Sequence, residues 1–225
     1  MAESKHDAIE RSVFLLIVLS LLTISVGGIV EIVPQFFQKS TTTAIDDKGA
    51  ALDVKPYDPL RLAGRYIYIR EGCYNCHSQM IRPFRAETQR YGAFSVAGEF
   101  IYDHPFQWGS KRTGPDLARV GGRYSDNWHR QHLLDPRSVV AESNMPAFTW
   151  LDRPFDKAII NMPDIKTQME AMNLVIRPKD SQGNVITPYS PGDIEKAPDA
   201  LKGKTELDAL IAYLQGLGTA RLIAQ

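Results

Sequence analysis

The sequence predicts a mainly α-helical protein, with one membrane-crossing helix near the N-terminus and then a helical domain with long loops. Three observations predict it. Val13 to Val30 carries no charged side chain in 18 residues. Two later stretches combine helix-start signals with apolar residues at helical spacing. Between them, glycines and prolines, 16 and 14 in a chain of 225 residues, interrupt any longer element. At 44% hydrophobic and 23% charged, the composition fits one or two ordinary domains and excludes a disordered or polytopic chain. The 26 basic and 26 acidic side chains cancel, so no nucleic-acid partner is expected. Two cysteines permit one disulfide at most, which excludes a small fold held by several bridges.

Taken in order, residues 1–11 form a short polar tail and 12–33 the anchor. At the α-helical rise the uncharged run spans roughly 27 Å, close to the hydrocarbon thickness of a bilayer. Ile32 and Val33 lengthen it, Glu31 sits at the interface, and Pro34 closes it. A cleaved signal peptide has the same outline, but this run is longer than a signal core and no A-x-A-like site follows. Lys5 and Arg11 before the span are matched by Lys39 and Lys48 after it, so flanking charge leaves the orientation open.

Residues 34–57 read as a polar linker, and 58–225 as one domain. At Asp58-Pro59 a capping carboxylate precedes a proline at the first helical position, where its missing N–H is no loss. Leu60, Ala63 and Ile67 give that helix an apolar face, and Gly72 ends it. The stretch 78–124 reads as loop-rich. Ser125 then caps a short helix through about Leu134, stopped by Asp135-Pro136. Residues 152–204 contain six prolines and read as an insertion with one helix around 164–174. The last helix carries Thr205 and Asp208 in capping-box spacing. Leu207, Leu210, Ile211, Leu214 and Leu217 line one side of it, and Gly216 and Gly218 terminate it.

The chemistry is concentrated at Cys73-Tyr74-Asn75-Cys76-His77, the C-x-x-C-H signature of covalent haem attachment. On one turn of helix, residues three and four apart share a face. Two thiols can therefore meet the two vinyl groups of one porphyrin while the adjacent imidazole turns under the iron. A thioredoxin-like C-x-x-C would need a βαβ context and a nucleophilic thiolate. A structural zinc site needs four ligands, and His104, His129 and His132 have no second ligand pair to support one. An ordinary disulfide between Cys73 and Cys76 is the remaining alternative.

A cytochrome iron needs a second axial ligand, and a methionine thioether raises the potential relative to bis-histidine ligation. Met80 lies too near His77 to cross to the opposite haem face. Met145, in Ser-Asn-Met-Pro-Ala-Phe, is the expected ligand, because Pro146 stiffens its loop; Met162, also followed by proline, is the second candidate. His129 and His132 read as surface or packing residues. The His77 imidazole needs an acceptor for the proton on its other nitrogen. Thr113-Gly114-Pro115-Asp116-Leu117 supplies it through the Pro115 carbonyl, with Gly114 allowing close approach of the backbone.

These residues resemble class I cytochromes c: Gly64-x-x-x-Tyr68, C-x-x-C-H, Gly114-Pro115-x-Leu117, Met145-Pro146 and a final helix with Tyr213, in that order. The resemblance implies a fold in which the first and last helices cross beside the haem, Gly64 meeting an aromatic such as Tyr213. Longer strings, residues 68–84, 87–91, 108–117 and 143–146, are similar to the mono-haem subunit II of cbb3-type cytochrome c oxidases. That likeness implies one covalent haem c with His77 and Met145 as axial ligands. It also implies a relay of single electrons from a di-haem cytochrome c subunit to a b-type haem of the catalytic subunit, which reduces oxygen and pumps protons. This chain would transfer electrons only. C-type haems are attached outside the bacterial cytoplasmic membrane, so the domain would be periplasmic and the N-terminus cytoplasmic. A free-standing tethered electron shuttle is the alternative.

From Arg61 to Arg137 there are 12 basic and seven acidic side chains, an excess that haem propionates could use. The arginines beside aromatics in residues 82–92 are the expected intersubunit contact.

Overall fold

The computed structural model describes residues 5–155 and 163–222. Short helices and 3-10 turns carry the fold, and no strand longer than an isolated bridge is present among the described residues. The expected polar tail is itself helical over Lys5–Glu10 (α1). Helix α2, Val13–Ile32, is capped by Ser12, whose hydroxyl accepts from the Leu15 amide at 3.3 Å. It buries no residue within the chain and, with the 3-10 turn Val33–Phe37, is long and apolar enough to cross a membrane. Two of its three hydroxyls, Thr23 and Ser25, donate to the carbonyls of Leu19 and Leu21 at 2.8 and 2.6 Å. Neither then needs water. Pro34 does not stop the chain; it sits at the start of the 3-10 turn.

The segment expected as a linker is packed against the domain. Leu52 and Tyr57 are buried. Asp46 folds residues 46–50 into a turn by accepting from the amides of Lys48 and Ala50, and Ile45 bridges to Ala51. A Cβ on Gly98 would strike the Ile45 backbone, so the two segments touch main chain to main chain.

Helix α3, Pro59–Arg70, starts where Asp58 accepts from the amides of Leu60 and Arg61 at 3.1 and 3.0 Å. The last long helix, Glu206–Gln215, carries the full capping box of Thr205 and Asp208. These two helices cross in direct contact. At Gly64 an added Cβ would lie 2.5 Å from the Ala209 carbonyl carbon and 2.9 Å from Tyr213 Cβ, so only glycine permits this approach. Leu62, Ala63 and Ile67 on one helix and Leu207, Leu210 and Tyr213 on the other form the centre of the core.

Three further elements were not read from the sequence. Helix α4, Arg85–Tyr91, interrupts the expected loop, and Pro136, rather than only ending α5 (Asp126–Leu134), opens a short α6, Pro136–Val139. The insertion holds α7, Ile165–Val175, and then α8, Pro191–Lys196, capped by Ser190 with Asp193. Far from being a peripheral appendage, it contributes Ile165, Met169, Met172, Ile176 and Tyr189 to the core. Helix α9 is Glu206–Gln215, and α10, Thr219–Leu222, follows Gly218.

Candidate functional site

Gly72, at φ 70°, takes the left-handed conformation that ends α3 and turns the chain into the 3-10 turn Cys73–Asn75. The Cys73 carbonyl accepts from the amides of both Cys76 and His77, at 3.2 and 3.0 Å, which winds the motif into one compact turn. Both thiols are free; Cys73 is half-buried and Cys76 exposed. Burial, reinforced by the Glu71 carboxylate, pushes the Cys73 thiol up to about 12. A thiol so held is not the thiolate that disulfide exchange requires.

His77 Nδ1 lies 2.8 Å from the Pro115 carbonyl oxygen. A carbonyl can only accept, so Nδ1 carries a proton, and in the neutral ring the lone pair is on Nε2. The 113–117 loop is held against the motif by Gly114 N donating to Cys76 O at 3.0 Å and Leu117 N to Ser78 O at 2.8 Å. A Cβ on Gly114 would lie 2.6 Å from His77 Nδ1 and 2.8 Å from Nε2, so the glycine makes room for the ring.

Arg112 fastens the chain just beyond the motif. Its Nε donates to Ser78 Oγ at 2.7 Å and its Nη2 to the Met80 carbonyl at 3.0 Å, while Nη1 pairs with Glu87 of α4 at 2.5 Å. Asp116 accepts from Ser78 Oγ at 2.6 Å and from the Met80 amide at 2.9 Å. Gln79, fully buried between them, is hydrogen-bonded to the Tyr213 hydroxyl at 3.1 Å, which links the motif to α9.

Much of the basic excess is consumed inside the chain. Arg65 pairs with buried Asp103, Arg70 with Glu71 and Glu206, Arg119 with Glu99, and Arg130 with Asp152 and Asp208. Arg82 shares Glu87 with Arg112. Arg61 and Arg90 lie over the rings of Tyr57 and Tyr91, each 5.2 Å from the centroid.

Met145 lies on the loop after α6, partly buried against the core that also receives Cys73 and Leu117. Two contacts fix its loop: Phe148 N donates to Leu133 O at 2.8 Å, and Trp150 Nε1 to Glu71 Oε2 at 3.1 Å, two residues before Cys73. Met162 lies outside the described residues. His104 rests against the Phe106 ring with 4.6 Å between centroids. His132 stacks on Trp128 at 4.7 Å, and Trp128 on Tyr124 at 4.0 Å. His129 is buried. Burial lowers the affinity of both His129 and His132 for a proton, and the neighbouring His77 adds to the effect at His132.

The residues present fit a flat, axially ligated macrocycle. Two free thiols and an imidazole turned with Nδ1 to a backbone carbonyl share one turn, and glycine leaves the ring unobstructed. Among the described residues the buried ring nitrogens Trp108 Nε1, His129 Nε2 and His132 Nδ1 have no hydrogen-bond partner. Sequence reasoning missed Arg112 and Trp150 as parts of the site, because their partners lie 25 and 79 residues away.

A family model described as "Cytochrome C oxidase, mono-heme subunit/FixO" matches residues 6–221. No curated protein matches the chain.

Proposed function

Because the chain belongs to the mono-haem subunit family of cytochrome c oxidase, we propose that it is the membrane-anchored c-type cytochrome of a cbb3-type oxidase. It carries one haem bound covalently through Cys73 and Cys76, with His77 and Met145 as axial ligands. When bound, the haem supplies a one-electron iron couple. The protein's own part is positional. Pro115 accepts the Nδ1 proton of His77 and so presents the Nε2 lone pair to the iron. The 143–150 loop, held by Leu133 and Glu71, would supply the Met145 sulfur as the second ligand. The contact between His77 and Pro115 is the observation that carries this reading, since neither a disulfide nor a thiol exchange site has a use for it.

In this reading residues 1–11 are cytoplasmic, 12–33 cross the bacterial inner membrane, 34–57 form the connection, and 58–225 are the periplasmic haem domain with its insertion at about 152–204. Electrons enter from a di-haem cytochrome c subunit and leave to the b-type haem of the catalytic subunit. Residues 82–92 meet a partner subunit; Phe84 is exposed there, beside Arg85 and Arg90. A haem-stained denaturing gel of membranes tests the attachment: one stained band at this chain's mass is expected. A colourless band from a host competent for haem attachment, with both thiols open to alkylation, overturns it. Co-purification of a copper and b-haem protein distinguishes the subunit from a free shuttle.

A further inference from the structure

We infer that the hairpin of residues 178–186, together with the C-terminal end of α7, is a second membrane contact, a foot that rests on the lipid surface beside the anchor. The inference relies on the reading of α2 as a membrane span.

The tether is short. Lys179 N donates to the Thr42 carbonyl at 2.7 Å. Thr42 is five residues beyond Phe37, where the apolar segment ends. Five fully extended residues reach at most about 18 Å, and the 3-10 turn Lys39–Thr41 shortens that reach. Lys179 is therefore held near the headgroup layer whichever way the domain tilts.

The hairpin carries its apolar residues to the same spot. Val185 bridges to Lys179, and Ile186 N donates to the Pro178 carbonyl at 2.8 Å. Leu174 and Val175, which end α7 just before the hairpin, are 74% and 65% exposed, Val185 54% and Ile186 37%. Beyond the anchor segment this is the one cluster of exposed large aliphatic residues among the described residues. A monomer seldom leaves such a cluster bare without an interaction to cover it.

Composition favours lipid over protein. The energetic centres of protein interfaces are enriched in Trp, Tyr and Arg, with Leu and Val under-represented. This cluster has only aliphatic side chains. Its charged neighbours are the exposed cations Arg177 and Lys179 and one carboxylate, Asp180, which is turned to the amides of Gln182 and Asn184, so the balance is cationic, as suits a surface of anionic lipid.

The test uses the full-length, haem-loaded chain reconstituted in vesicles containing anionic phospholipid, and the same chain within the assembled oxidase. Nitroxide labels are placed singly at Leu174→Cys, Val185→Cys, Val26→Cys in the anchor and Gln131→Cys on α5. These are exposed sites where a cysteine does not disturb packing. The expected result is oxygen accessibility severalfold above that of a water-soluble nickel chelate at 174, 185 and 26, and the reverse at 131. Aqueous behaviour at 174 and 185 with membrane depth at 26 overturns the foot and leaves the anchor standing. Aqueous behaviour at 26 overturns the anchor and the foot together. Low access of both reagents at 174 and 185 in the oxidase overturns lipid as the occupant in favour of a protein neighbour.

Discussion

One methyl group added at Gly64 sets two opposite expectations against each other. On an unpacked helix, glycine is less favourable than alanine by about 0.5–1 kcal/mol, so Gly64→Ala would stabilise. In α3 the new Cβ would lie 2.5 Å from the Ala209 carbonyl carbon and 2.9 Å from Tyr213 Cβ. Carbon atoms settle about 3.5–4.0 Å apart, so α9 would have to withdraw by roughly 1 Å. Overpacking of this kind costs about 1–3 kcal/mol, and the obstacle here is main chain, which cannot rotate away. After the gain in helix propensity the net loss is roughly 1–2 kcal/mol. For a domain of this size that lowers Tm by about 2–8 °C. Thermal unfolding of the full-length, haem-loaded chain in detergent, followed by far-ultraviolet circular dichroism, measures it. Gly27→Ala in α2, where nothing lies within 4 Å of the added carbon, is the control for the propensity gain alone and should not lower Tm. A Tm for Gly64→Ala equal to or above that of the parent would refute the crossing of α3 and α9 at this residue.

Four other outcomes are expected. Gly114→Ala drives a methyl into the space of the His77 ring, and the low-spin visible spectrum should weaken while the thioether attachment persists on a haem-stained gel. Met145→His keeps the iron six-coordinate but lowers its midpoint potential, and redox titration showing an unchanged potential would move the ligand to Met162. Arg65→Met leaves buried Asp103 without its partner, at a cost of about 3–5 kcal/mol; denaturant unfolding should recover part of that loss in the double variant Arg65→Met, Asp103→Leu. The hydrogen bond from Arg112 holds the Glu87 carboxyl below the ordinary carboxylate range. Its folded value is thus below its unfolded one, so the clamp on α4 is fully present above about pH 4.3. It is lost as pH falls through the folded value. Amide protection over residues 85–92, corrected for the intrinsic exchange rate at each pH, should fall on acidification, and Glu87→Gln should flatten that response.

The elements that could be read from sequence are those whose signals are local. Asp58-Pro59 and the Thr205–Asp208 box act within three residues of themselves, and α3 and α9 begin where those residues stand. Helix α4 has no such mark: Phe84 offers no capping side chain, and Glu87 is fixed by Arg112 from 25 residues away. At α8 the mark was present in Ser190-Pro191-Gly192-Asp193, but the surrounding prolines read as irregular chain. The helix of the insertion was readable from its own periodicity. Its docking was not, because a period says which face is apolar and not what covers it. At the site, the motif and the carbonyl beside His77 lie in short strings. The pairing of the arginines was not legible, since charge counts carry no information on which carboxylate each one meets.

The close seating of residues 42–57 on the domain bears on how this carrier works. Between the turns Val33–Phe37 and Lys39–Thr41, Gln38 alone is extended, and from Thr42 onward the chain is fastened by Lys179, Gly98 and the buried Leu52 and Tyr57. A cytochrome on a long leash can swing between donor and acceptor, trading waiting time for reach. This domain is mounted like a post on a single joint, so in the proposed relay the donor and the acceptor would both have to stand close to it.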